Sequence, residues 1–376
     1  MGIGCIDLVV GARPNFIKAA PILRAFRDAP VPWTMRLVHT GQHYDEGMSA
    51  IFFDQLGIPA PTAELGVGSG THGEQTARVL AGFEQYLLQT PDRSRGVIVV
   101  GDVNSTMAAA LAAVKLGIPV AHVEAGLRSF DRSMPEEINR LVTDAVADVL
   151  LVSEPSGTEN LAREGIPSTR THYVGNVMID SLIHSLDAAR ALRMAERLDL
   201  PANGYAYVTL HRPSNVDLPE RLDRLVRFLN SVTKRIPVVF PMHPRTRQRL
   251  EEQGLIRALT AETGMHLMQA QGYLESLGLM SSSLLAITDS GGVQEETTFL
   301  GIPCLTLRPN TERPSTVIQG TNTVVGDDLE KALGCVANIL DGRYKPGVPI
   351  EGWDGHAAER ILSVLEGTWR LADHSS

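Results

Sequence analysis

The chain has 376 residues, of which 43% are hydrophobic, 20% charged and only 5% aromatic. This length exceeds what one ordinary hydrophobic core organises, so two domains are expected. The formal net charge is −9 and the lysines and arginines are dispersed, which argues against a partner that is nucleic acid or an anionic membrane. The scarcity of aromatic residues also argues against platforms that stack single-stranded bases.

The three cysteines, Cys5, Cys304 and Cys335, are far apart and form no CxxC pair. We interpret them as small hydrophobic residues in a reducing compartment. The first ten residues resemble a strand that contains Asp7, not a signal peptide, and no run approaches the roughly 18 apolar residues of a membrane helix. We therefore expect a cytoplasmic protein.

Short apolar runs along the chain are typical of strands that are covered on both faces. They are Ile6–Val10, Val97–Val100, Val149–Val152, Tyr207–Leu210, Val238–Phe240 and Leu284–Ile287. The phrase Gly-Ile-Pro recurs at Gly57, Gly117, Gly165 and Gly301 and predicts helices that end on a left-handed glycine. Helices, glycines and strands in alternation predict an α/β fold with parallel sheets.

A charged helical pattern over Asp187–Leu200, followed by the chain-breaking Pro201–Gly204, suggests a domain boundary. We expect an N-terminal Rossmann-like domain over residues 1–180 and a C-terminal one over residues 181–355. A C-terminal helix over residues 356–376 can pack back on the first domain. Each domain is expected to be a doubly wound sheet, with a ligand between them at the carboxyl ends of the strands.

The second half contains a strand that leads into Ser290, Gly291 and Gly292, with a helix expected up to Leu300. The glycines allow a ligand to approach the backbone, and the free amides of a helix N-terminus favour a diphosphate. Glu296, one turn later, can accept hydrogen bonds from a ribose diol. The alternative interpretation is a tight turn in which Ser290 is the N-cap.

In the first half, polar residues follow several strands. Arg13 and Lys18 flank a helix start at Pro14, where anions are favoured, although they could be solvated surface cations. Asp102 and Glu124 reach the same sheet edge, where two acids can separate their pKa values and serve as acid and base. The alternatives are a helix N-cap for Asp102 and a structural ion pair for Glu124.

Two further segments carry polar side chains with a functional and a structural interpretation. Ser133 with Glu136 predicts a capping box, and Glu136 with Arg140 an i,i+4 ion pair. His211, at the end of the first strand of the second half, can bind phosphate or transfer a proton. No metal-binding pattern is present, and the glycine-rich Gly66–Gly70 follows no apolar strand, so we interpret it as a loop.

Taken in order, seven motifs resemble those of the non-hydrolysing UDP-N-acetylglucosamine 2-epimerases, from about residue 5 to residue 362. They are GARPNFIK, GDVNST, HVEAGLRS, PEEINR, TLHRPSN, TDSGGVQEE and TERPS. The resemblance implies two Rossmann-like domains of the GT-B glycosyltransferase type, a UDP-amino sugar substrate and a homodimer. It implies neither a metal nor a nicotinamide cofactor.

The family reaction removes the C2 proton of the sugar, expels UDP from C1 and adds UDP back to an enzyme-bound 2-acetamidoglucal. The matching motif positions imply catalytic roles for Asp102, Glu124, Glu136 and His211. They imply substrate binding by Arg13, Lys18, Arg140, His211, Ser290, Gly291, Gly292, Glu296 and Arg313. A carboxylate base and a second acid suit the proton transfers, and cations suit the departing UDP. The residues leave open which carboxylate removes the proton.

The sequence departs from the family at positions that bear on regulation. Family members often read GTRPE where this chain has Gly11–Asn15, and Arg-Glu after His-Arg where it has Pro213-Ser214. Many bacterial relatives bind a second UDP-N-acetylglucosamine through the latter segment and a Gln-His-Arg-Gln-like segment, which here is Gln42–Asp45. Fewer cations and an added acid predict that no such effector is needed.

Other functions share parts of this motif set. A GT-B glycosyltransferase would need an acceptor site in place of the acids of HVEAGLRS and PEEINR. A hydrolysing epimerase, which frees N-acetylmannosamine and UDP, shares most motifs, but we see no appended kinase domain. A non-catalytic nucleotide-binding module would tolerate the loss of Asp102 and Glu124.

Overall fold

The chain divides into two compact units, Met1–Ser181 with Glu351–Ser376, and Leu182–Ile350. The computed structural model describes residues 4–41 and 46–372, apart from the side chains of residues 46–50 and 370–372. Both units are α/β, as the alternation of helices, glycines and apolar runs predicts.

The first unit is a parallel sheet with helices between its strands. Its strands are β1 (Gly4–Val10), β2 (Trp33–His39), β3 (Ala63–Glu64), β4 (Ser94–Val100), β5 (Val120–Ala125), β6 (Val149–Val152) and β7 (Thr171–Tyr173). Its helices are α1 (Arg13–Asp28), α2 (Glu46–Leu56), α3 (His72–Gln89), α4 (Asn104–Lys115), α5 (Pro135–Val146) and α6 (Pro155–Arg163), and α7 (Val177–Ala191) crosses the boundary.

The second unit repeats this architecture. Its strands are β8 (Ala206–Thr209), β9 (Val238–Pro241), β10 (Met265–Met268), β11 (Leu285–Thr288), β12 (Cys304–Thr306) and β13 (Asn322–Val324). Its helices are α8 (Met194–Arg197), α9 (Pro213–Val216), α10 (Pro219–Thr233), α11 (Pro244–Glu252), α12 (Ile256–Leu259), α13 (Tyr273–Ser281), α14 (Gly291–Leu300), α15 (Pro314–Ile318) and α16 (Leu329–Leu340). The last helix, α17 (Ala357–Ala372), belongs to the first unit and packs on α1.

Strand order reverses once in each sheet. The orders are β3-β2-β1-β4-β5-β6-β7 and β10-β9-β8-β11-β12-β13, with every pairing parallel. The chain leaves β1 and β8 on one side and returns on the other at β4 and β11. Such a reversal opens a crevice at the carboxyl ends of the two strands, which is where doubly wound sheets place ligands.

The sequence predictions of the central elements are confirmed. Each of the predicted apolar runs overlaps a strand, and those strands are buried on both faces. The four repeated glycines, Gly57, Gly117, Gly165 and Gly301, all have a left-handed φ between 63° and 79° just after a helix. In the part of the chain that the structure describes, no helix combines the length and hydropathy of a membrane span.

Candidate active site

The motifs of the first unit lie at the carboxyl ends of its central strands. Arg13 follows β1, Asp102 follows β4, and Glu124 is the fifth residue of β5. Because β1, β4 and β5 are consecutive in the sheet, their carboxyl ends share one edge. The expectation that Asp102 and Glu124 reach the same sheet edge is confirmed.

A buried ion pair connects β5 to α1. The Lys18 ammonium bonds to a Glu124 carboxylate oxygen, and both residues are 5% exposed or less. Gly101 packs against this pair, since a Cβ built on it would lie 3.1 Å from Lys18 Nζ and 3.3 Å from Glu124 Oε2. Asn15 closes the group: its side-chain oxygen accepts from the Gly11 and Ala12 amides, and its nitrogen donates to the Val100 carbonyl.

The backbone of Glu124 is left-handed, with φ of 72°. The register between β5 and β6 shifts at this residue, between Val123 and Ala125. A non-glycine residue pays for this conformation with about 1–2 kcal/mol, and strain of this kind clusters at functional sites. The irregularity therefore marks Glu124 as a residue whose side-chain direction is specified by the fold.

Asp102 is paired with α5. Its carboxylate bonds to the Arg140 guanidinium, which also bonds to Glu137. The Asp102 side chain is 27% exposed while Arg140 is almost fully buried, so the acid lies at the mouth of the site with the cation beneath it. The interpretation of Asp102 as a helix N-cap is wrong, because the N-cap of α4 is Val103, with no side-chain cap bond.

The predicted capping box at the start of α5 is also wrong. The N-cap is Met134, without a side-chain cap bond, and the Ser133 hydroxyl donates to Asp131 instead, at 2.6 Å. Pro135 at the first helical position has no N–H to satisfy, so no box is required. Glu136 is half-buried one turn before Arg140, whose defined ion pairs are with Asp102 and Glu137.

Glu137 is a site residue that the sequence analysis missed. Its carboxylate accepts from the backbone amides of Ser129 and Phe130 as well as from Arg140. Burial alone would raise the pKa of Glu137, but these amides and the guanidinium hold it below its ordinary value. Glu137 therefore fixes Arg140, and through it Asp102, although its sequence context reads only as the first turn of a helix.

Arg13 is half-buried at the start of α1, as Pro14 predicts. Its guanidinium carbon lies 5.8 Å from the centre of the Phe52 ring. A guanidinium over an aromatic ring is attracted to the ring face, and its N–H donors stay at the edge of the guanidinium plane, where they can meet a ligand. Arg13 is thus positioned to offer charge at the carboxyl end of β1.

In the second unit, the carboxyl ends of β8 and β11 meet through Asp289. This buried carboxylate accepts from the backbone amides of His211 and Arg212 and from Asn215, and lies 3.1 Å from His211 Nδ1. Burial alone would raise the pKa of Asp289, but His211 and these donors lower it. The carboxylate thereby orients His211, whose side chain is 36% exposed.

Ser290 is the N-cap of α14, but its side chain makes no cap bond, so its hydroxyl is not used as a capping group. The helix starts at Gly291, so the backbone amides of Gly291 and the next residues lie in the first turn of α14. Behind Gly291 there is no room for a side chain, since a Cβ would lie 2.5 Å from Arg313 Nη1 and 2.9 Å from Glu312 Oε1. Arg313 itself is buried between Glu312 and Glu295, so the structure places it behind the turn.

Glu296 is buried in α14, and the Tyr273 hydroxyl donates to its carboxyl at 3.1 Å. Burial raises the pKa of Glu296 to about 8, Tyr273 opposes the shift, and neighbouring Glu295 adds to it. A carboxyl that is neutral at neutral pH can both donate and accept hydrogen bonds. Tyr273, at the first position of α13, is a second site residue that sequence reasoning missed.

The structure thus places the predicted residues in two groups, one in each unit. Arg13, Lys18, Asp102, Glu124, Glu136 and Arg140 lie in the first, and His211, Ser290, Gly291, Gly292, Glu296 and Arg313 in the second. Among residues 4–41 and 46–372 no cluster of histidine, cysteine or acidic side chains could hold a metal ion. The predicted effector segment Gln42–Asp45 lies outside the described residues.

Comparison with known proteins places these groups in a family. The family described as UDP-N-acetylglucosamine 2-epimerase matches residues 28–366. A UDP-N-acetylglucosamine 2-epimerase of Methanocaldococcus jannaschii is 42% identical over 96% of this chain and 98% of its own. A Pseudomonas aeruginosa UDP-2,3-diacetamido-2,3-dideoxy-D-glucuronate 2-epimerase is 43% identical over 95% of this chain and 98% of its own.

Solved structures agree with the sequence comparison. The crystal structure of the Methanocaldococcus jannaschii enzyme in complex with UDP-GlcNAc and UDP superposes with a TM-score of 0.88, at 40% identity over 96% of this chain and 99% of that one. The expected fold class, α/β with two doubly wound Rossmann-like domains of the GT-B type, is confirmed. The chain therefore belongs to the UDP-N-acetylglucosamine 2-epimerase family.

Proposed function

We propose that this chain is a non-hydrolysing epimerase that interconverts UDP-N-acetylglucosamine and UDP-N-acetylmannosamine. The observation that carries the proposal is the pair of carboxylates, Asp102 and Glu124, at neighbouring strand ends, each bonded to its own buried cation. Acids at one sheet edge, held by separate cations, suit a reaction with two proton transfers at one carbon. Glu136, on the helix that carries Arg140, joins this set.

The proposed reaction begins with loss of the proton at sugar C2 to a carboxylate of the first unit. The electron pair of that C–H bond forms the C1=C2 double bond, and the C1–O bond breaks with its electrons on the diphosphate oxygen. The products of this half are UDP and 2-acetamidoglucal. In the second half the same oxygen attacks C1, and C2 takes a proton on its opposite face, so atoms and charge balance without an external reagent.

The second unit is proposed to hold UDP throughout. The amides at the start of α14 and the His211 ring supply donors for the diphosphate, whose charge increases as the C1–O bond breaks. Glu296 would accept from the ribose diol. Because Asp289 already orients His211 and Tyr273 already orients Glu296, these groups need little rearrangement when the charge develops.

A second candidate substrate follows from the relative that is 43% identical and named for UDP-2,3-diacetamido-2,3-dideoxy-D-glucuronate. The C2 chemistry would be unchanged, since that sugar also carries an acetamido group at C2. Incubation with each UDP-sugar separately, followed by NMR, distinguishes the two. The better substrate is the one with the higher kcat/KM, and failure of both would remove the epimerase assignment.

The proposed route predicts exchange at C2. In heavy water, both epimers are expected to acquire deuterium at C2, because the bond is broken and refilled from a group that equilibrates with solvent. Proton NMR of UDP-N-acetylglucosamine incubated with the enzyme measures it. Epimerisation that retains the original hydrogen would require a hydride or ketone route instead, and free N-acetylmannosamine in stoichiometric yield would indicate a hydrolysing enzyme.

The raised pKa of Glu296 predicts a pH dependence of UDP binding. Below about pH 8 the carboxyl is protonated in the free protein, and a ribose diol that donates to it favours the ionised form. UDP affinity should therefore rise with pH, by at most about tenfold per pH unit, and level off above about pH 8. Calorimetry in buffers of different ionisation enthalpy measures the proton release.

Glu296→Gln is the matched control, since it keeps the shape and cannot ionise. Its UDP affinity should be weaker and should lack the part of the rise with pH that the ionisation of Glu296 causes. Equal pH dependence in both proteins would show that Glu296 does not meet the ribose as a carboxylate.

The segment His211–Ser214 and the altered Gln42–Asp45 sequence support an enzyme without an effector requirement. Each charged hydrogen bond lost to an effector diphosphate is worth about 1.5–3 kcal/mol. We expect hyperbolic kinetics and immediate turnover of pure UDP-N-acetylmannosamine. A lag that a trace of UDP-N-acetylglucosamine removes would show that an effector site persists.

The homodimer and the cytoplasmic location stay predictions. Sedimentation can test the first of them.

A further inference from the structure

A histidine that the proposed mechanism does not use joins the elements that carry its acids. His122 lies in β5, two residues before Glu124, and is fully buried. Its Nε2 is 2.8 Å from the Gly101 carbonyl oxygen and its Nδ1 is 2.6 Å from Asp144 Oδ1. The ring therefore spans from the end of β4 to α5.

Each end of this connection is adjacent to a site acid. Gly101 is left-handed, with φ of 72°, and directly precedes Asp102. The direction of the Gly101 carbonyl fixes the rotation of the peptide that leads into Asp102. A carbonyl that turned would move the Asp102 carboxylate relative to Glu124, whose own side chain packs beside Gly101.

The Asp144 end is anchored just as firmly. Its other oxygen accepts from the Gly126 amide at 3.0 Å and bonds to Arg128 at 2.7 Å. Gly126 lies two residues after Glu124, so Asp144 holds the backbone on the far side of that acid. Asp144 is also on α5, the helix that carries Glu136 and Arg140.

Both ring nitrogens of His122 lie against oxygen atoms. The Gly101 carbonyl can only accept, and although burial alone would raise the pKa of Asp144, His122 and Arg128 hold it below its ordinary value. Nε2 therefore donates to the Gly101 carbonyl, and Nδ1 faces the Asp144 carboxylate. A fully satisfied buried network of this kind favours one arrangement of the elements it joins.

We propose that His122 is a positioning residue for the proposed epimerisation: through its hydrogen bond to the Gly101 carbonyl it sets the position of the Asp102 carboxylate relative to that of Glu124. The inference rests on the proposed function. It implies that losing the bond to Gly101 changes how the glucal intermediate is protonated, without changing how UDP is held.

Two substitutions separate the two bonds. His122→Gln places its amide nitrogen near the former Nε2 and can still donate to Gly101, whereas His122→Asn reaches only the former Nδ1 position and can donate to Asp144. Each variant loses one buried hydrogen bond, and the glutamine variant, which loses the bond to the Asp144 carboxylate, should lose at least as much thermal stability as the asparagine variant. We expect the asparagine variant to lose turnover by about 10- to 100-fold, the usual effect of a misplaced catalytic group, and the glutamine variant to stay within about threefold of wild type.

The decisive measurement is made in heavy water on UDP-N-acetylglucosamine. For each variant we compare deuterium returned to the starting epimer with deuterium in the product epimer, and measure released UDP and 2-acetamidoglucal. The asparagine variant is expected to shift this partition and release more glucal per turnover, at unchanged UDP affinity. Rates are expressed per UDP-binding site, so that unfolded protein is not counted.

Loss of turnover in the glutamine variant at wild-type UDP affinity would overturn the proposal, and so would an unchanged partition in both variants. His172→Gln, in β7 at the edge of the same sheet, controls for the loss of an imidazole. If the wild-type enzyme itself incorporates no deuterium at C2, the proposed function fails and not the positioning role.

Discussion

Asparagine in place of Asp102, or glutamine in place of Glu124, is expected to lower turnover by a factor of about 10² or more. Each amide keeps the size of the side chain and can accept from Arg140 or Lys18, but it cannot take up the C2 proton. UDP affinity should stay within several-fold, because the proposed UDP-binding residues lie in the second unit. Steady-state kinetics and UDP calorimetry on the same preparations measure both quantities.

The stability of these variants should differ. Glu124 is the partner of the buried Lys18 ammonium, and removing one member of a buried pair costs about 3–5 kcal/mol. Asp102 is partly exposed, so its loss should cost less. Asp148→Asn is a matched control: Asp148 accepts from the Val120 amide at the opposite end of β5, and its loss should leave turnover intact.

Substitutions of the adjacent Glu136 and Glu137 test whether Glu136 is a catalytic acid. Glu136→Gln should lower turnover about as much as the Asp102 variant. Glu137→Gln should lower the melting temperature, and lower turnover less than the Glu136 variant does, because it replaces a carboxylate that holds two backbone amides and Arg140. A Glu136 variant with a lowered melting temperature and normal turnover would show that Glu136 has a structural role and not a catalytic one.

The sequence was sufficient to predict the strand ends at which the site is built. Near-continuous apolar runs identify β1, β4, β6, β8, β9 and β11, because these strands are buried on both faces. Motif residues follow four of these strands, β1, β4, β8 and β11. A polar side chain is costly inside a buried sheet, so a polar residue after such a run marks the end of the strand or has a polar partner. The edge of the sheet that carries the site could therefore be inferred from the alternation of strands and helices along the chain.

The lateral strands could not be predicted in the same way. In β2 the charged Arg36 interrupts the apolar pattern, and only the fold reveals that it is bonded through two nitrogens to Asp7 of the neighbouring β1. The strands β3, β7, β10 and β13 lie at sheet edges, are at most four residues long and are less buried. Short edge strands have no distinctive pattern, since one side of each is unpaired.

The partners of the site residues were also beyond sequence reasoning. Besides its i,i+3 neighbour Glu137, Arg140 bonds to Asp102, which lies 38 residues earlier and which no local spacing predicts. Lys18 meets Glu124 across 106 residues. Spacing rules describe only neighbours on one helix, and these pairs form because the strand order brings distant loops to one edge.

Alanine in place of Gly101 is expected to lower turnover by about tenfold or more and stability by about 1–2 kcal/mol. The stability cost arises because Gly101 has φ of 72°, which an L-residue adopts with strain. The catalytic cost has a different origin. The new Cβ would lie 3.1 Å from Lys18 Nζ and 3.3 Å from Glu124 Oε2, so the ion pair must shift to admit it.

Gly117→Ala separates these two costs. Gly117 has a nearly identical φ of 69°, but an added Cβ would meet nothing within 4 Å, and the residue lies at the opposite end of β5. Both alanine variants should therefore share the backbone cost in melting temperature, the Gly101 variant should lose at least as much as the Gly117 variant, and only the Gly101 variant should lose kcat. Equal kcat in the two proteins would mean that the Lys18–Glu124 geometry tolerates displacement, and Glu124 would then be a structural partner of Lys18 and not an acid or base of the reaction.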